Sequence, residues 1–429
     1  MDLLQASVEQ LQHWQSTLQR EYQQQQQKKQ NLDLTRGKPS SEQLTLSDSL
    51  DGCLRGDYFS KDGTDTRNYG GLDGILEARQ LGAEILGVKS EEVSAQGNSS
   101  LTLMFLTLLC AKEFGLSGEQ SAWKLGGDIK FLCPVPGYDR HFRLCEQLGL
   151  EMVAVPMTAT GPDMDTVENM VKADSRIKGM WCVPKYSNPT GVVYSDSTVE
   201  RIARLGEIAG ADFRVLWDNA YAVHDLEDSK PLKNIMDLCR GTSSENSVIQ
   251  FASTSKITYA GSGVAFIAAS QQNINSFRKL LSVLSIGPDK VNQLRHLRLI
   301  PDYKALLAHM KKHAEFLRPR FACVLEHFSA HFSDNDLGQW EAVSGGYFVS
   351  FNSRPGLAKQ IVKLAAELGV KLTPAGATFP YGKDPDDCNI RIAPSVPSLE
   401  ELDSAMKAFV LCVKLASVDQ ALSQLSTST

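Results

Sequence analysis

Three residues with chemically useful side chains each follow an apolar run at a point where a β-strand would end. They are Lys256, Asp218 and Asn188. An amine can bond covalently to an aldehyde, a carboxylate can pair with a protonated ring nitrogen, and a carboxamide can donate a hydrogen bond to a phenolic oxygen. Together, these side chains suit a pyridine aldehyde. The pattern therefore predicts a site for pyridoxal phosphate.

The elements that position these residues alternate along the chain. Amphipathic helical segments mostly separate strand-like apolar runs, which lie at residues 131–133, 152–155, 180–183, 214–217, 248–252 and 265–269. Such alternation is typical of the α/β class, with helices packed on a mostly parallel sheet. Ligands of these sheets bind beyond the carboxyl ends of the strands, so we expect the three residues to meet there.

The two ends of the chain show other patterns. Residues 3–30 carry apolar side chains at helical spacing, namely Leu4, Val8, Leu11, Leu18 and Tyr22. Beyond residue 310, a long helical pattern leads to short strand-like runs at residues 343–351 and 389–392. We predict three parts: an N-terminal helix and arm associated with the small domain (residues 1–50), a large three-layer cofactor-binding domain (51–315) and a small α+β domain (316–429).

Composition and charge argue against several classes of protein. The chain has 44 Lys and Arg residues against 50 Asp and Glu residues, so no overall positive field would attract nucleic acid or an anionic membrane. The longest apolar stretch, residues 101–111, is shorter than the roughly 20 residues that span a bilayer. The first residues contain no apolar signal-peptide core, and the nine cysteines form no CxxC pair. We therefore expect a cytoplasmic protein.

Several short motifs occur in an order that resembles a known family. They are residues 35–39, 69–71, 97–100 and 136–138, then the three residues above, then residues 389–391. Over roughly residues 31–410, the chain resembles a fold type I pyridoxal-phosphate aminotransferase of class I, nearest to a bacterial aspartate aminotransferase subgroup. The resemblance implies a homodimer with shared active sites. It also implies amino-group transfer between L-aspartate and 2-oxoglutarate by a ping-pong mechanism.

The resemblance further implies a role for each residue around the cofactor. Lys256 would hold pyridoxal phosphate covalently and, once displaced by substrate, move a proton between the substrate α-carbon and the cofactor's C4′. Asp218 would keep the ring nitrogen protonated. Tyr221 and Asn188 would donate hydrogen bonds to the phenolic oxygen, and Tyr138 would stack on the ring. The structural alternatives are a solvated lysine, a helix N-cap aspartate, a turn asparagine and a packing tyrosine.

The expected phosphate site departs from the family in one respect. The residues implied there are small and polar, namely Asn98, Ser99, Ser100, Ser253 and Ser255. Tyr69 would reach the phosphate of the neighbouring subunit. Most class I members carry an arginine eight residues after the lysine, where this chain has Val264. Either Arg36, Lys38 or a basic group of the partner compensates, or the cofactor binds less tightly, with Ser262 as a further neutral contact.

Arg391 is the candidate for binding the substrate α-carboxylate, because a guanidinium grips a carboxylate through two parallel hydrogen bonds. Gly37 and Asn188 complete the substrate-binding set that the resemblance implies. A dicarboxylate needs a second cation, and the sequence leaves several candidates open: Arg36, Lys38, Arg67, Lys290 and Arg295.

Other functions stay open at the level of sequence. An aminotransferase for other amino acids, a decarboxylase or a C–S lyase of the same fold would share Lys256 and Asp218. A transcription regulator with such a domain would need a DNA-binding head, whereas the N-terminal residues have the pattern of one glutamine-rich helix. No metal site is expected, because His309 and His313, four residues apart on a helix, have no carboxylate partner in the sequence pattern. We expect a solvated helix face there.

Overall fold

The computed structural model describes residues 3, 5–28, 30–210 and 212–427 of the 429-residue chain, so Leu4 of the N-terminal pattern lies outside the described residues. The strands are β1 (Leu32–Asp33), β2 (Val93–Gln96), β3 (Lys130–Val135), β4 (Glu151–Thr158), β5 (Gly161–Pro162), β6 (Ile177–Cys182), β7 (Arg214–Asp218), β8 (Val248–Ser253), β9 (Ala265–Ala269), β10 (Gly338–Trp340), β11 (Val349–Ser353), β12 (Val370–Lys371) and β13 (Asn389–Ile392). The helices are α1 (Val8–Gln26), α2 (Ser41–Thr45), α3 (Leu76–Leu86), α4 (Ser100–Leu109), α5 (Asp139–Leu148), α6 (Met164–Ala173), α7 (Asp196–Ala203), α8 (Leu205–Ile208), α9 (Ile235–Cys239), α10 (Gln271–Leu284), α11 (Lys290–Leu299), α12 (Tyr303–Phe332), α13 (Ala358–Glu367) and α14 (Leu399–Thr427).

The largest sheet has eight strands in the order β2-β9-β8-β7-β6-β3-β4-β5. From β8 through β7, β6 and β3 to β4, neighbouring strands run parallel. The pairs β2-β9, β8-β9 and β4-β5 are antiparallel. The six strand-like runs of the sequence correspond to β3, β4, β6, β7, β8 and β9. The predicted α/β class with a mostly parallel sheet is confirmed.

Both faces of this sheet are buried, which explains the unbroken apolar runs of its strands. In β7, Val215 and Trp217 share an apolar cluster with side chains of α6, α7 and α9. Leu216 shares another cluster with side chains of α4, α5 and α10. Because alternate side chains of a strand point to opposite faces, helices must cover both faces of the sheet. The three layers are therefore helices, sheet and helices.

The topology explains why the three sequence signals come together. β6, β7 and β8 are direct neighbours and run parallel, so their carboxyl ends lie side by side. β7 ends at Asp218, and the chain continues from β8 to Lys256 and from β6 to Asn188. Three segments that are distant in sequence therefore reach one edge of the sheet.

The remaining structure is built from both ends of the chain. β10, β11 and β13 form an antiparallel sheet, and β1 pairs with β12 in parallel. The predicted N-terminal helix is present as α1, whose Leu11, Leu18 and Tyr22 are buried in one cluster with side chains of α14. Neither α14 nor any other helix of the described residues is long and apolar enough to cross a membrane.

One strand prediction was wrong in its extent. Within residues 343–351, regular strand begins only at Val349, the first residue of β11. Gly346 has a φ of +82°, and a Cβ on Gly345 would lie 2.2 Å from the Tyr186 ring. A left-handed backbone and this close approach are available to glycine and interrupt the extended conformation.

The long helix α12 connects the two cores. Leu306 and Met310 pack in a cluster with residues of α3, β2 and β9, whereas Ala314 and Leu317 pack with α1 and α14. The change of core therefore falls between Met310 and Ala314, inside a continuous helix and close to the boundary predicted after residue 315. The division into three parts itself stays a prediction.

Candidate active site

Two adjoining cavities lie where the parallel strands end. The first, the strand-end cavity, has a volume of about 240 Å³. Its lining residues are Asn98, Ser99, Ser100, Leu101, Tyr138, Val183, Asn188, Asp218, Ala220, Tyr221, Ser253, Ser255, Lys256 and Ala260. The structure thus brings together ten of the eleven residues predicted to bind the cofactor. The exception is Tyr69.

Asp218 is fixed by a residue that the sequence analysis missed. His141 Nε2 lies 2.9 Å from Asp218 Oδ2, and both side chains are buried. The His141 ring stacks on Trp181, with centroids 4.0 Å apart and planes 7° from parallel. Asp218 Oδ1 is buried and has no hydrogen-bond partner among the described residues. One carboxylate oxygen is anchored, and the other is available to a ligand that donates a hydrogen bond.

The amine of Lys256 lies over the ring of Tyr221, with Nζ 5.1 Å from the ring centroid. Burial lowers the pKa of Lys256, and the negative charge of Asp218 opposes this shift. Burial also raises the pKa of Tyr221, and Tyr138 and Asp218 add to the increase. Lys256 therefore releases its proton more readily than a solvated lysine, and Tyr221 stays a phenol that can donate a hydrogen bond.

The backbone beside Lys256 is held by buried histidines, which corrects one expectation. His309 and His313 were expected on a solvated helix face, but both are buried. Their Nε2 atoms lie 2.8 and 3.0 Å from the carbonyl oxygen of Ile257. Tyr347 donates its hydroxyl to the carbonyl oxygen of Lys256 over 3.4 Å. Because α12 packs over this loop, the helix face that was expected in solvent is covered.

His224 is a third buried histidine near Lys256, in addition to His309 and His313. Neither of its nitrogens has a hydrogen-bond partner in the described part of the chain. Burial lowers the pKa of His224 to about 3, and the nearby charges of Lys256 and His313 contribute in the same direction. His224 is therefore neutral at physiological pH and adds no positive charge beside Lys256.

The end of the strand-end cavity nearest α4 is lined by small polar groups. Ser99 caps α4 by accepting a hydrogen bond from Thr102 N. Ser255 Oγ donates to Asn98 O over 2.7 Å, which ties the loop after β8 to the residues before α4. A helix start offers unpaired N–H groups and a partial positive charge. This end of the cavity therefore suits an anion.

No arginine lines the strand-end cavity among the residues that the structure describes, where Lys256 is the one cation. Val264 is buried and packs in an apolar cluster. Arg36 and Lys38, the two basic residues of this chain expected to compensate, line a second, adjoining cavity instead. Ser262 is not among the lining residues. A basic group from a partner subunit stays a prediction.

The second cavity, the arm cavity, has a volume of about 480 Å³ and lies against the N-terminal arm. Its lining residues are Thr35, Arg36, Gly37, Lys38, Tyr138, Asp139, Arg140, Asn188, Tyr221, Lys256, Phe348, Thr373, Pro374 and Arg391. Tyr138, Asn188, Tyr221 and Lys256 line both cavities. Groups bound in the two cavities would therefore meet at Lys256.

Arg391 extends from β13 into the arm cavity and is buried. Its Nη1 donates to Asp139 Oδ1 over 2.8 Å and to Asn188 Oδ1 over 3.2 Å. Nε and Nη2 both donate to Thr373 Oγ1, over 3.3 and 3.2 Å. The guanidinium carbon lies 4.8 Å from the centroid of the Phe348 ring. Neighbours on several sides therefore fix the position of the guanidinium.

Gly37 allows the arm to approach Phe348 and Tyr347 closely. A Cβ on Gly37 would lie 2.6 Å from Phe348 Cζ and 2.9 Å from Tyr347 Cβ. A larger residue would push Phe348 against Arg391 or move the arm away. Gly37 thus shapes the cavity through its neighbours, and its direct contact with a substrate stays a prediction.

The basic residues predicted for a second carboxylate fall into two groups. Arg36 and Lys38 line the arm cavity, and Arg140, which the sequence analysis missed, joins them there. Arg67, Lys290 and Arg295 line neither cavity. Arg67 pairs with Asp65 at 2.7 Å, Lys290 donates to the carbonyls of residues 68 and 70, and Arg295 donates to the carbonyl of residue 50.

Some of the residues missed from the sequence had a signal that could have been used. Asp139, Arg140 and His141 directly follow Tyr138, which had been singled out, and begin the helix α5. The first turn of a helix that starts beyond a strand faces the same sheet edge as the strand ends. Thr373 and Phe348 carried no comparable signal, because a threonine or phenylalanine near a short strand is usually a packing residue.

The fold and these two cavities define an aminotransferase of fold type I. The chain belongs to the aspartate aminotransferase family, whose sequence model, described as "Aspartate amino-transferase", matches residues 6–425. An aspartate aminotransferase of Corynebacterium glutamicum is 46% identical over 390 residues, which cover 90% of each chain.

Solved structures show the same relationship. The crystal structure of an aspartate transaminase from Corynebacterium glutamicum has a TM-score of 0.94 at 42% identity, over 98% of this chain and 99% of that chain. LysN from Thermus thermophilus, an α-aminoadipate aminotransferase complexed with N-(5'-phosphopyridoxyl)-L-leucine, has a TM-score of 0.73 at 19% identity, over 97% of this chain and 96% of that chain. The second comparison supports the fold alone.

Proposed function

We propose that this aminotransferase holds pyridoxal 5'-phosphate in the strand-end cavity and exchanges an amino group between L-aspartate and 2-oxoglutarate by a ping-pong mechanism. The observation that carries the proposal is the free oxygen of Asp218. A buried carboxylate oxygen without a partner is costly. A protonated ring nitrogen in the same cavity as Lys256 would satisfy it.

The other residues of the strand-end cavity fit the same cofactor. Pyridoxal 5'-phosphate, when bound, supplies an aldehyde that accepts the amino group and a cationic ring that withdraws electrons. Asp218, oriented by His141, would keep the ring nitrogen protonated. Tyr221 and Asn188 would donate hydrogen bonds to the phenolic oxygen. Tyr138 would cover one face of the ring.

The chemical step assigned to this chain is a proton transfer. Lys256 Nζ would carry a proton from the substrate α-carbon to C4′ of the cofactor, and in the opposite direction when the second substrate reacts. Its lowered pKa suits this role, because a base must be unprotonated before it can accept a proton. Its position in the wall shared by the two cavities lets one amine serve both.

The phosphate would lie against the start of α4. Asn98, Ser99, Ser100, Ser253 and Ser255 offer amide, hydroxyl and backbone N–H groups there. The helix start replaces part of the charge that an arginine at position 264 would supply. We therefore expect binding of the phosphate to depend more on hydrogen bonds and less on a fixed cation.

The arm cavity suits a substrate with two carboxylates. Arg391 would bind the α-carboxylate, and Arg36, Lys38 and Arg140 are candidates for the distal one. Throughout the described ranges, the side chains of these three residues form no hydrogen bond or ion pair. Asp139 is the only acid among the residues described along this cavity. The excess of positive charge favours a dianion over a neutral side chain.

We also propose that the protein is a homodimer in which Tyr69 contacts the phosphate of the neighbouring site. Tyr69 is 83% exposed and lines neither cavity of its own chain. Val283 and Ile286 are 84% and 65% exposed. Gly287 lies against the backbone of Gly70, where a Cβ would be 2.5 Å from its oxygen. This exposed aromatic and apolar surface is suitable for a partner chain. Sedimentation analysis of the wild type would test the dimer, and a weaker affinity of Tyr69→Phe for pyridoxal 5'-phosphate would test the shared site.

An absorption titration tests the cofactor, the reaction and the substrates together. The purified protein should have a visible band that disappears on addition of L-aspartate and returns with 2-oxoglutarate. Reduction with borohydride followed by peptide mapping should place the cofactor on Lys256, and Lys256→Ala is the matched control. Release of pyruvate and ammonia would instead indicate a lyase, and release of carbon dioxide would indicate a decarboxylase. An unmodified peptide around Lys256 would contradict the proposal.

A further inference from the structure

The hydrogen bonds of Arg391 leave too few donors for a substrate carboxylate. A guanidinium has five N–H groups. The protons of Nε and Nη2 on one edge point to Thr373 Oγ1. Nη1 donates to Asp139 and to Asn188, so only one Nη2 proton has no acceptor in the described structure. A carboxylate that binds through two parallel hydrogen bonds must therefore displace a protein group.

A carboxylate that uses the remaining Nη2 proton also needs a proton of Nη1. The two acceptors on Nη1 are therefore the candidates for displacement, and their surroundings differ. Asn188 is 3% exposed, so its side chain has little room to move. The Asp139 side chain is 29% exposed and can turn toward solvent. Asp139 is also negatively charged and would repel an incoming carboxylate, whereas Asn188 is neutral. Displacement of Asp139 is the easier change.

We propose, on the basis of the function proposed above, that the Asp139 carboxylate occupies the α-carboxylate site of Arg391 and is displaced by every substrate. Asp139 keeps the buried guanidinium paired when no substrate is bound, which avoids the cost of an isolated buried charge. Each substrate must break this ion pair before it forms its own. Asp139 therefore weakens substrate binding and sets the KM of the enzyme.

The released carboxylate has a second favourable position. Asp139 is the first residue of α5, and Tyr138, at the N-cap position, makes no side-chain capping hydrogen bond. A carboxylate in the first turn of a helix is stabilised by the unpaired N–H groups and the helix dipole. Asp139 can therefore leave Arg391 by rotation of its side chain, without unfolding of the helix.

The variant Asp139→Asn tests the inference, because it removes the charge and keeps the size of the side chain. We expect its KM for L-aspartate, L-glutamate, L-alanine and 2-oxoglutarate to fall by a similar factor of about five to twenty. Its kcat should change less than its KM. Glu146→Gln, which removes a charge farther along the same helix, is the matched control. An unchanged or increased KM in Asp139→Asn would overturn the inference and assign Asp139 to holding Arg391 in place.

A binding measurement separates this inference from the proposed reaction. Maleate, a dicarboxylate without an amino group, should bind the Asp139→Asn holoenzyme about five to twenty times more tightly than wild type in calorimetry. If wild type failed to transaminate aspartate and this increase were still seen, the proposed function would fail while the role of Asp139 stood. If wild type transaminated aspartate and maleate bound both proteins equally, only the role of Asp139 would fail. Asp139→Ala, which also removes the hydrogen-bond acceptor, should likewise bind maleate more tightly than wild type, and weaker binding would overturn the inference.

Discussion

The strand-end cavity and the arm cavity adjoin each other but are built in different ways. The strand-end cavity is formed mostly by residues that follow neighbouring strands of one sheet. Asp218 ends one of two adjacent strands, and Lys256 lies in the loop after the other. The arm cavity gathers residues from the N-terminal arm, the start of α5, β13 and the loop after β12. The geometry of the strand-end cavity is set by a single β-sheet, whereas that of the arm cavity depends on how several parts of the chain pack together.

The difference also appears in how the charged groups are held. Asp218 is anchored by one stacked histidine and keeps a free oxygen for a ligand. Arg391 already has a negative partner, Asp139, that a ligand must replace. The strand-end cavity is therefore prepared for a resident group that stays bound. The arm cavity is suited to molecules that bind and leave during each catalytic cycle.

The largest effect is expected from removing the negative charge of Asp218 from the strand-end cavity. Asp218→Asn should lower kcat by about a thousandfold, because a neutral amide no longer favours a protonated ring nitrogen. His141→Asn should have a smaller effect, since His141 orients Asp218 without touching the ligand. Steady-state kinetics and the visible spectrum of both variants would check this. Equal losses in the two variants would mean that orientation, and not charge, is the main contribution of Asp218.

The same difference explains what could be predicted from the sequence. Lys256, Asp218 and Asn188 were predictable because parallel strands place their carboxyl ends at one edge whatever the details of packing. Arg391 was identified from the motif at residues 389–391 and from the chemistry of its guanidinium, and the strand pattern did not place it near the other three. Asp139 was missed, because its contact joins residues 252 positions apart in two differently built regions.

The next largest effect would test whether substrate binding is concentrated in the arm cavity. Arg391→Ala should weaken binding of both aspartate and 2-oxoglutarate by about 2 to 5 kcal/mol, since it leaves Asp139 unpaired and removes a bidentate partner. Arg391→Lys should recover only part of this loss, because a lysine cannot make two parallel hydrogen bonds. The visible spectrum of the free enzyme should not change. KM values that stayed equal to those of wild type would remove Arg391 from the substrate site.

A smaller effect is expected from the exposed cations of the arm cavity. The measurement is the KM for aspartate and for alanine, compared between wild type and each of the variants Arg36→Ala, Lys38→Ala and Arg140→Ala. Replacement of the residue that binds the distal carboxylate should raise the KM for aspartate by about five- to tenfold. The KM for alanine should stay unchanged, because alanine has no second carboxylate. The effect should shrink at high salt. If all three variants kept the preference for aspartate, the distal cation would have to be a residue other than these three.

The smallest effect on catalysis, and instead an effect on stability, is expected from the buried histidines beside Lys256. Burial lowers the pKa of His224 to about 3 and that of His313 to about 4, so between these values and about 6.5 the unfolded chain binds protons that the folded chain does not. The stabilising contribution is complete above pH 6.5 and is lost as the pH falls. As the pH falls from 7.5 to 5, the free energy of unfolding should decrease by about 2 kcal/mol for each of these two histidines. Urea unfolding of His224→Gln should therefore show a weaker pH dependence than wild type, whereas His13→Gln, which changes an exposed histidine, should match wild type. If all three proteins lost stability equally on acidification, the wall beside Lys256 would have to admit water and protons, and its histidines would not be held neutral by burial.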